Sequence, residues 1–215
     1  MNIQPAQRIS RVEEYYFSRK LKEIDLLRSQ GKAVINLGIG NPDLPPAPEV
    51  LDELANAAAH PGHHGYQSYV GIPELRKAFA DWYRTYFNVT LNPVNEILPM
   101  MGSKEAIMHI SMAFLNPGDE VLLPDPGYPT YLCLCSLVGA TPRTYLLDPA
   151  RNYEPDLEAL AKQDLSKVKL MWVNYPNMPT GATGSRALLE KLVAFGKAHN
   201  ILICNDNPYS FILNQ

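Results

Sequence analysis

Ile201-Leu202-Ile203-Cys204-Asn205-Asp206-Asn207-Pro208-Tyr209 decides how this chain is read. Four apolar residues make a short buried strand, and a carboxylate and a phenol follow, three residues apart. Ligands in open α/β sheets bind beyond the carboxyl ends of the strands. Asp206 and Tyr209 therefore stand where a ligand is expected.

Working outward, the same pattern recurs. Strand-like runs over 96–100, 120–123, 141–146, 168–173 and 201–204 alternate with helix-like runs over 103–115, 128–138, 155–162 and 186–199. Short apolar strands alternating with amphipathic helices predict an α/β fold, a mostly parallel sheet flanked by helices. Nearer the N-terminus, residues 10–28 carry an apolar stripe of Val12, Tyr15, Tyr16, Leu21, Ile24 and Leu27, the spacing of an amphipathic helix ending near Gly31. A short strand over 34–37 and a tight turn over 38–43 follow. Pro42, Pro45, Pro46 and Pro48 then mark a boundary. This predicts an N-terminal helical arm over 1–47 and an α/β domain over 48–215, which opens with helices over 48–59 and 72–87.

The bulk properties narrow the function classes. A chain of 215 residues, 46% hydrophobic, can bury a substantial core. Its net charge of −3 and scattered basic residues argue against nucleic acid or an anionic membrane as partner. Met1–Val12 lacks a secretory h-region, and the apolar stretch 106–115 is too short to span a bilayer. The reading is a cytoplasmic protein. Cys133-x-Cys135 has the wrong spacing for zinc and lacks a histidine pair, so Cys133, Cys135 and Cys204 read as buried reduced thiols, with no metal.

Three more loops follow expected strands. Gly102-Ser103-Lys104-Glu105 opens a helix, where backbone N–H groups and the helix dipole favour an anion; Ser103 also suits an ordinary N-cap. Asp125-Pro126-Gly127-Tyr128-Pro129-Thr130-Tyr131 is stiff enough to hold Tyr128 face-on to a flat group, or is a plain structural turn. Asn174-Tyr175-Pro176-Asn177-Met178-Pro179-Thr180-Gly181 holds amides at the sheet edge. Gly38-Ile39-Gly40 fails the dinucleotide fingerprint, because Asp43 occupies the third glycine's place. On one edge of a parallel sheet, these loops would offer a phosphate cup, an aromatic plate, amides and a carboxylate–phenol pair. That inventory fits an aromatic phosphate ester. A carboxylate that holds a proton on a heteroaromatic nitrogen suits pyridoxal 5'-phosphate (PLP) in particular. Such chemistry also needs a lysine, and none follows Asp206.

Taken in order, Gly-x-Gly-Asn-Pro-Asp at 38–43, Tyr66, Gly71, Leu75-Arg76, Gly-Ser-Lys-Glu at 102–105, Pro-Gly-Tyr-Pro-x-Tyr at 126–131, Tyr-Pro-Asn-x-Pro-Thr-Gly at 175–181 and Asp-Asn-Pro-Tyr at 206–209 resemble the class I/II aminotransferases, the fold-type I PLP enzymes. The likeness runs from about Asn36 onward and is strongest to the branch with LL-diaminopimelate and alanine- or methionine-type enzymes. It implies that Ser103 and Lys104 hold the phosphate, Tyr128 stacks on the pyridine ring, Asp206 pairs with the ring nitrogen and Tyr209 meets the ring oxygen. It further implies a homodimer, with Tyr66 reaching the neighbouring subunit's phosphate, and Gly40 against the substrate's α-carboxylate. Met178 stands where the family has the asparagine that contacts the ring oxygen. Asn177 or Asn174 then substitutes, or Tyr209 serves alone.

The family's Schiff-base lysine and two anion-binding arginines lie beyond the Asp-x-x-Tyr motif. By that resemblance the chain is an N-terminal portion with a raw sheet edge, no catalytic residue of its own and no transamination by itself. The intact enzyme would belong to amino-acid metabolism, moving an amino group between an amino acid and a 2-oxo acid. A β-lyase (carbon–sulfur lyase) on the same fold shares these motifs. A ligand-sensing domain of a transcription regulator would need a DNA-binding module within the roughly 30 residues before the first strand. A truncated paralogue that binds no cofactor is the remaining alternative.

Overall fold

The computed structural model describes residues 3–11, 14, 16–38, 40 and 42–212. They fall into two compact units, one from Met1–Glu13 and Met100–Gln215, the other from Glu14–Pro99. The arm expected over 1–47 is shared between them.

The Glu14–Pro99 unit is helical: α1 (Tyr16–Ser29), α2 (Pro48–Ala59) and α3 (Pro73–Phe87). Proline in the first turn starts both α2 and α3, where its missing N–H costs nothing. Asn88, left-handed at φ 53°, ends α3. The guanidinium of Arg76 donates to the carbonyls of Pro93 (2.9 Å) and Val94 (3.2 Å) and so ties the following loop to α3. The strand expected over 34–37 is absent, and Ile35 and Leu37 are exposed. Of the helix expected over 10–28, the described part is a 3-10 turn, Gln7–Arg11, and α1; Val12 and Tyr15 lie outside the described residues.

The second unit contains α4 (Ser103–Phe114), β1 (Glu120–Asp125), α5 (Pro129–Leu137), β2 (Thr141–Leu146), α6 (Leu157–Ala161), β3 (Val168–Val173), α7 (Arg186–His199) and β4 (Leu202–Asn205). The sheet is all parallel, in the order β2-β1-β3-β4. The two central strands are buried on both faces, which is why they read as nearly unbroken apolar runs. Alternation divides them cleanly. Leu122, Met171 and Val173 face Leu160, Leu188, Leu192 and Phe195 of α6 and α7. Val121, Leu123, Leu170 and Trp172 face the other way, onto Ile107, Tyr131 and Cys135 of α4 and α5. Burying a Leu or Val side chain contributes about 1.5–3 kcal/mol, so these two layers dominate the stability of the unit.

The strand expected over 96–100 is not formed: its backbone finds no ladder partner among the described residues, and Pro99 removes a donor. Cys135 and Cys204 are buried, and burial pushes both thiols up to about 11. Cys133, expected to be buried, is only half-buried. Among the described residues no helix is long and apolar enough to cross a membrane.

Candidate active site

The chain runs from β1 outward to β2, then returns to place β3 on the other side of β1. The strand order therefore reverses between β1 and β3, the point at which open α/β sheets form a crevice beyond their carboxyl ends. A cavity of about 170 Å³ lies there, lined by Ser103, Tyr128, Tyr131, Asn174, Met178, Asp206, Pro208 and Tyr209.

Each lining residue is set by a local device. Gly102, at φ +90°, turns the chain into α4, so Ser103 is the first helical residue. The first N–H groups of an α-helix have no intrahelical acceptor, and the helix dipole adds positive character there. Tyr128 caps α5 after a turn that admits only glycine at 127, because a Cβ there would lie 2.4 Å from the Pro124 carbonyl oxygen. Asp206 is held by extension of the ladder: its N–H donates to the Val173 carbonyl at 2.9 Å.

Asn174 is 3% exposed and bridges two loops. Its amide nitrogen donates to the Asp206 carbonyl at 2.6 Å, and its Oδ1 accepts from the Met178 N–H at 2.7 Å. The side chain of Tyr131 donates from Oη to Asp206 Oδ2 at 2.8 Å. Burial, and then the neighbouring carboxylate, push the Tyr131 phenol far above its ordinary range, so it stays protonated and donates at any working pH. Among the described residues Asp206 Oδ1 has no protein donor.

The structure thus brings Ser103, Tyr128, Asp206 and Tyr209 to one cavity, as the sequence suggested. Lys104 follows Ser103 in the first turn of α4 but does not line the cavity. Asn177, expected to approach a ring oxygen, is not a lining residue either. It is buried, and its Oδ1 accepts from Thr180 Oγ1 at 2.8 Å, closing the turn. Its backbone N–H and C=O bond to Ala182 and Gly181, which fixes it as a turn anchor. Met178 and Asn174 face the cavity in its place. Gly40 and Tyr66 belong to the Glu14–Pro99 unit, where Tyr66 is 92% exposed. Sequence reading missed Tyr131 as a partner of Asp206. The only local signal was its position three residues after Tyr128.

Comparison with known proteins now bears on this geometry. Residues 32–213 match the family described as Aminotransferase class I and II. The chain belongs to that family. Members of the family use PLP as cofactor. The chain is 43% identical over 207 residues to the LL-diaminopimelate aminotransferase of Dehalococcoides mccartyi (strain CBDB1), covering 96% of this chain and 53% of the relative. It is 41% identical to the enzyme of that name from Aquifex aeolicus, covering 96% and 54%. Among solved structures, BacF of Bacillus subtilis superposes with a TM-score of 0.90 at 37% identity, over 96% of this chain and 52% of that one. Thermus thermophilus aspartate aminotransferase, in a single-mutant form, gives 0.87 at 28% identity, over 96% and 53%. The chain spans about half the length of the curated relatives it matches.

Proposed function

We propose that this chain supplies one wall of the PLP site of an aminotransferase that moves an amino group between an amino acid and a 2-oxo acid. The observation that carries the proposal is Asp206, fixed beyond β4 with Oδ2 engaged by Tyr131, in the same cavity as the start of α4 and the Tyr128 ring. The donor set fits the group. A carboxylate with one oxygen unpaired among the described residues matches a pyridinium N–H, a helix N-terminus matches a phosphate, and a tyrosine ring matches a flat heteroaromatic face. At about 170 Å³ the cavity falls below the roughly 300–1,000 Å³ of complete ligand pockets, which supports a wall rather than a closed site.

On this reading the amides at Ser103 and Lys104 hold the phosphate, Tyr128 stacks on the ring and Asp206 keeps the ring nitrogen protonated. The ring oxygen falls to Tyr209, since Asn177 does not line the cavity and both ends of the Asn174 amide already serve backbone groups. When bound, the cofactor supplies an electron sink for carbanion chemistry at the amino acid's α-carbon. The part played by this chain is to bind, orient and keep a proton on the ring nitrogen. Gly40 would lie against the substrate carboxylate. Tyr66, which extends into solvent, would reach a second subunit, in a cytoplasmic homodimer.

Titration of the chain with pyridoxamine 5'-phosphate tests this, because the amine is fluorescent and needs no lysine. Saturable binding weakened about 10- to 100-fold by Asp206→Ala is expected, the worth of a hydrogen bond to a charged group. Equal affinity in both chains refutes it. In the intact protein, product analysis for a new amino acid against pyruvate release separates the aminotransferase from a β-lyase.

A further inference from the structure

Tyr131 lines the cavity and is tightly constrained there. It is 2% exposed, stacked on Trp172 at 5.3 Å and 8°, and set edge-to-face against Tyr128 at 5.6 Å and 87°. Trp172 belongs to the central strand β3 and is itself only 3% exposed. Close packing leaves such a ring no room to swing. From this anchored ring the hydroxyl reaches Asp206 Oδ2 at 2.8 Å.

We propose that Tyr131 is a positioning residue: one rigid side chain sets both the Asp206 carboxylate and the Tyr128 plate, and so fixes the charge presented to the cofactor's ring nitrogen. The proposal rests on the PLP reading above and adds a residue to it. Two physical effects support the assignment. A donor on Oδ2 fixes how the carboxylate is turned, so that Oδ1 is the oxygen offered to the ring nitrogen. The donor is neutral, so it orients the carboxylate without cancelling its charge as a lysine or arginine would. A merely structural tie between α5 and the end of β4 would need neither effect.

The test is a double-mutant cycle on pyridoxamine 5'-phosphate affinity, with Tyr131→Phe, Asp206→Ala and the pair. Phenylalanine keeps both ring contacts and deletes only the hydroxyl. Expected are a loss of about tenfold for Tyr131→Phe in the wild-type background and less than about twofold beside Asp206→Ala. With ¹⁵N in the ring of the ligand, Tyr131→Phe should also move the nitrogen resonance toward the neutral pyridine value. Equal losses in both backgrounds, or an unchanged affinity and resonance, overturn the proposal. Should Tyr131→Phe unfold the chain, a crystal structure of the wild type with the ligand decides: the Oη–Oδ2 bond must persist, and a Tyr131 swung away refutes the assignment. If wild type and Asp206→Ala bind alike, the cofactor reading falls and takes this proposal with it. If they differ and Tyr131→Phe matches wild type, only the positioning role falls.

Discussion

Replacing Asn174 removes one side chain and strands two backbone groups. Its amide holds the Asp206 carbonyl at 2.6 Å and the Met178 N–H at 2.7 Å, with the residue 3% exposed. Leaving a buried polar group unpaired costs about 1–3 kcal/mol each. The neighbouring cavity can admit water to the gap left by alanine, which favours the lower end for each group. Asn174→Ala should therefore destabilise the unit by about 2–4 kcal/mol, some 4–16 °C in melting temperature for a chain of this size. Asn174→Asp offers a sharper comparison. It keeps the acceptor for Met178 but sets a carboxylate against the Asp206 carbonyl, so it should be no more stable than alanine despite its closer shape. Urea unfolding followed by near-ultraviolet circular dichroism reads both. Variants within about 0.5 kcal/mol of wild type would show that the bridge carries no load and that Asp206 is held by the sheet alone.

Other consequences follow from the same geometry. Gly127→Ala pushes a methyl to within 2.4 Å of the Pro124 carbonyl, so the loop must move, at roughly 1–3 kcal/mol. Its displaced Tyr128 should also weaken pyridoxamine 5'-phosphate binding in a fluorescence titration. Arg143→Ala removes hydrogen bonds to Glu120 (2.7 Å), the Asp164 carbonyl (2.6 Å) and Gln163 (2.6 Å), and should cost about 1–3 kcal/mol by urea unfolding. Cys135 and Cys204 hold their protons more tightly folded, up to about 11, than at the ordinary thiol value of 9.0. Their contribution is complete below pH 9 and is lost as pH rises toward about 11, so the urea midpoint should fall over that interval. The double alanine variant should flatten the fall.

The layout of the sheet was legible because each buried strand carries its own signal. Val168–Val173 is an apolar run broken only by Lys169, Thr141–Leu146 carries two threonines and a tyrosine, and Arg186–His199 starts after Ser185, whose side chain accepts from the Leu188 N–H. Residues 34–37 and 96–100 have similar composition, but a strand also needs a neighbour with matching register, which composition cannot reveal. Strand β1 runs two residues past its expected end through Pro124, which pairs with Tyr145 beyond the stretch where β1 meets β3. The cavity residues Tyr128, Asp206 and Tyr209 were readable because they fall just past strand ends. The contacts that Tyr131 and Asn174 make to Asp206 were not, since they span 75 and 32 residues of sequence. Asn177 does not line the cavity, because the tight turn over 177–182 brings Asn174 and Met178 there and leaves Asn177 closing the turn.

A crystal structure of the chain with pyridoxamine 5'-phosphate tests the central claim most directly. The account predicts the ring nitrogen within hydrogen-bond distance of Asp206, the ring against Tyr128 and the phosphate on the first amides of α4. A ligand bound elsewhere, or reversed with its phosphate toward Asp206, would contradict it.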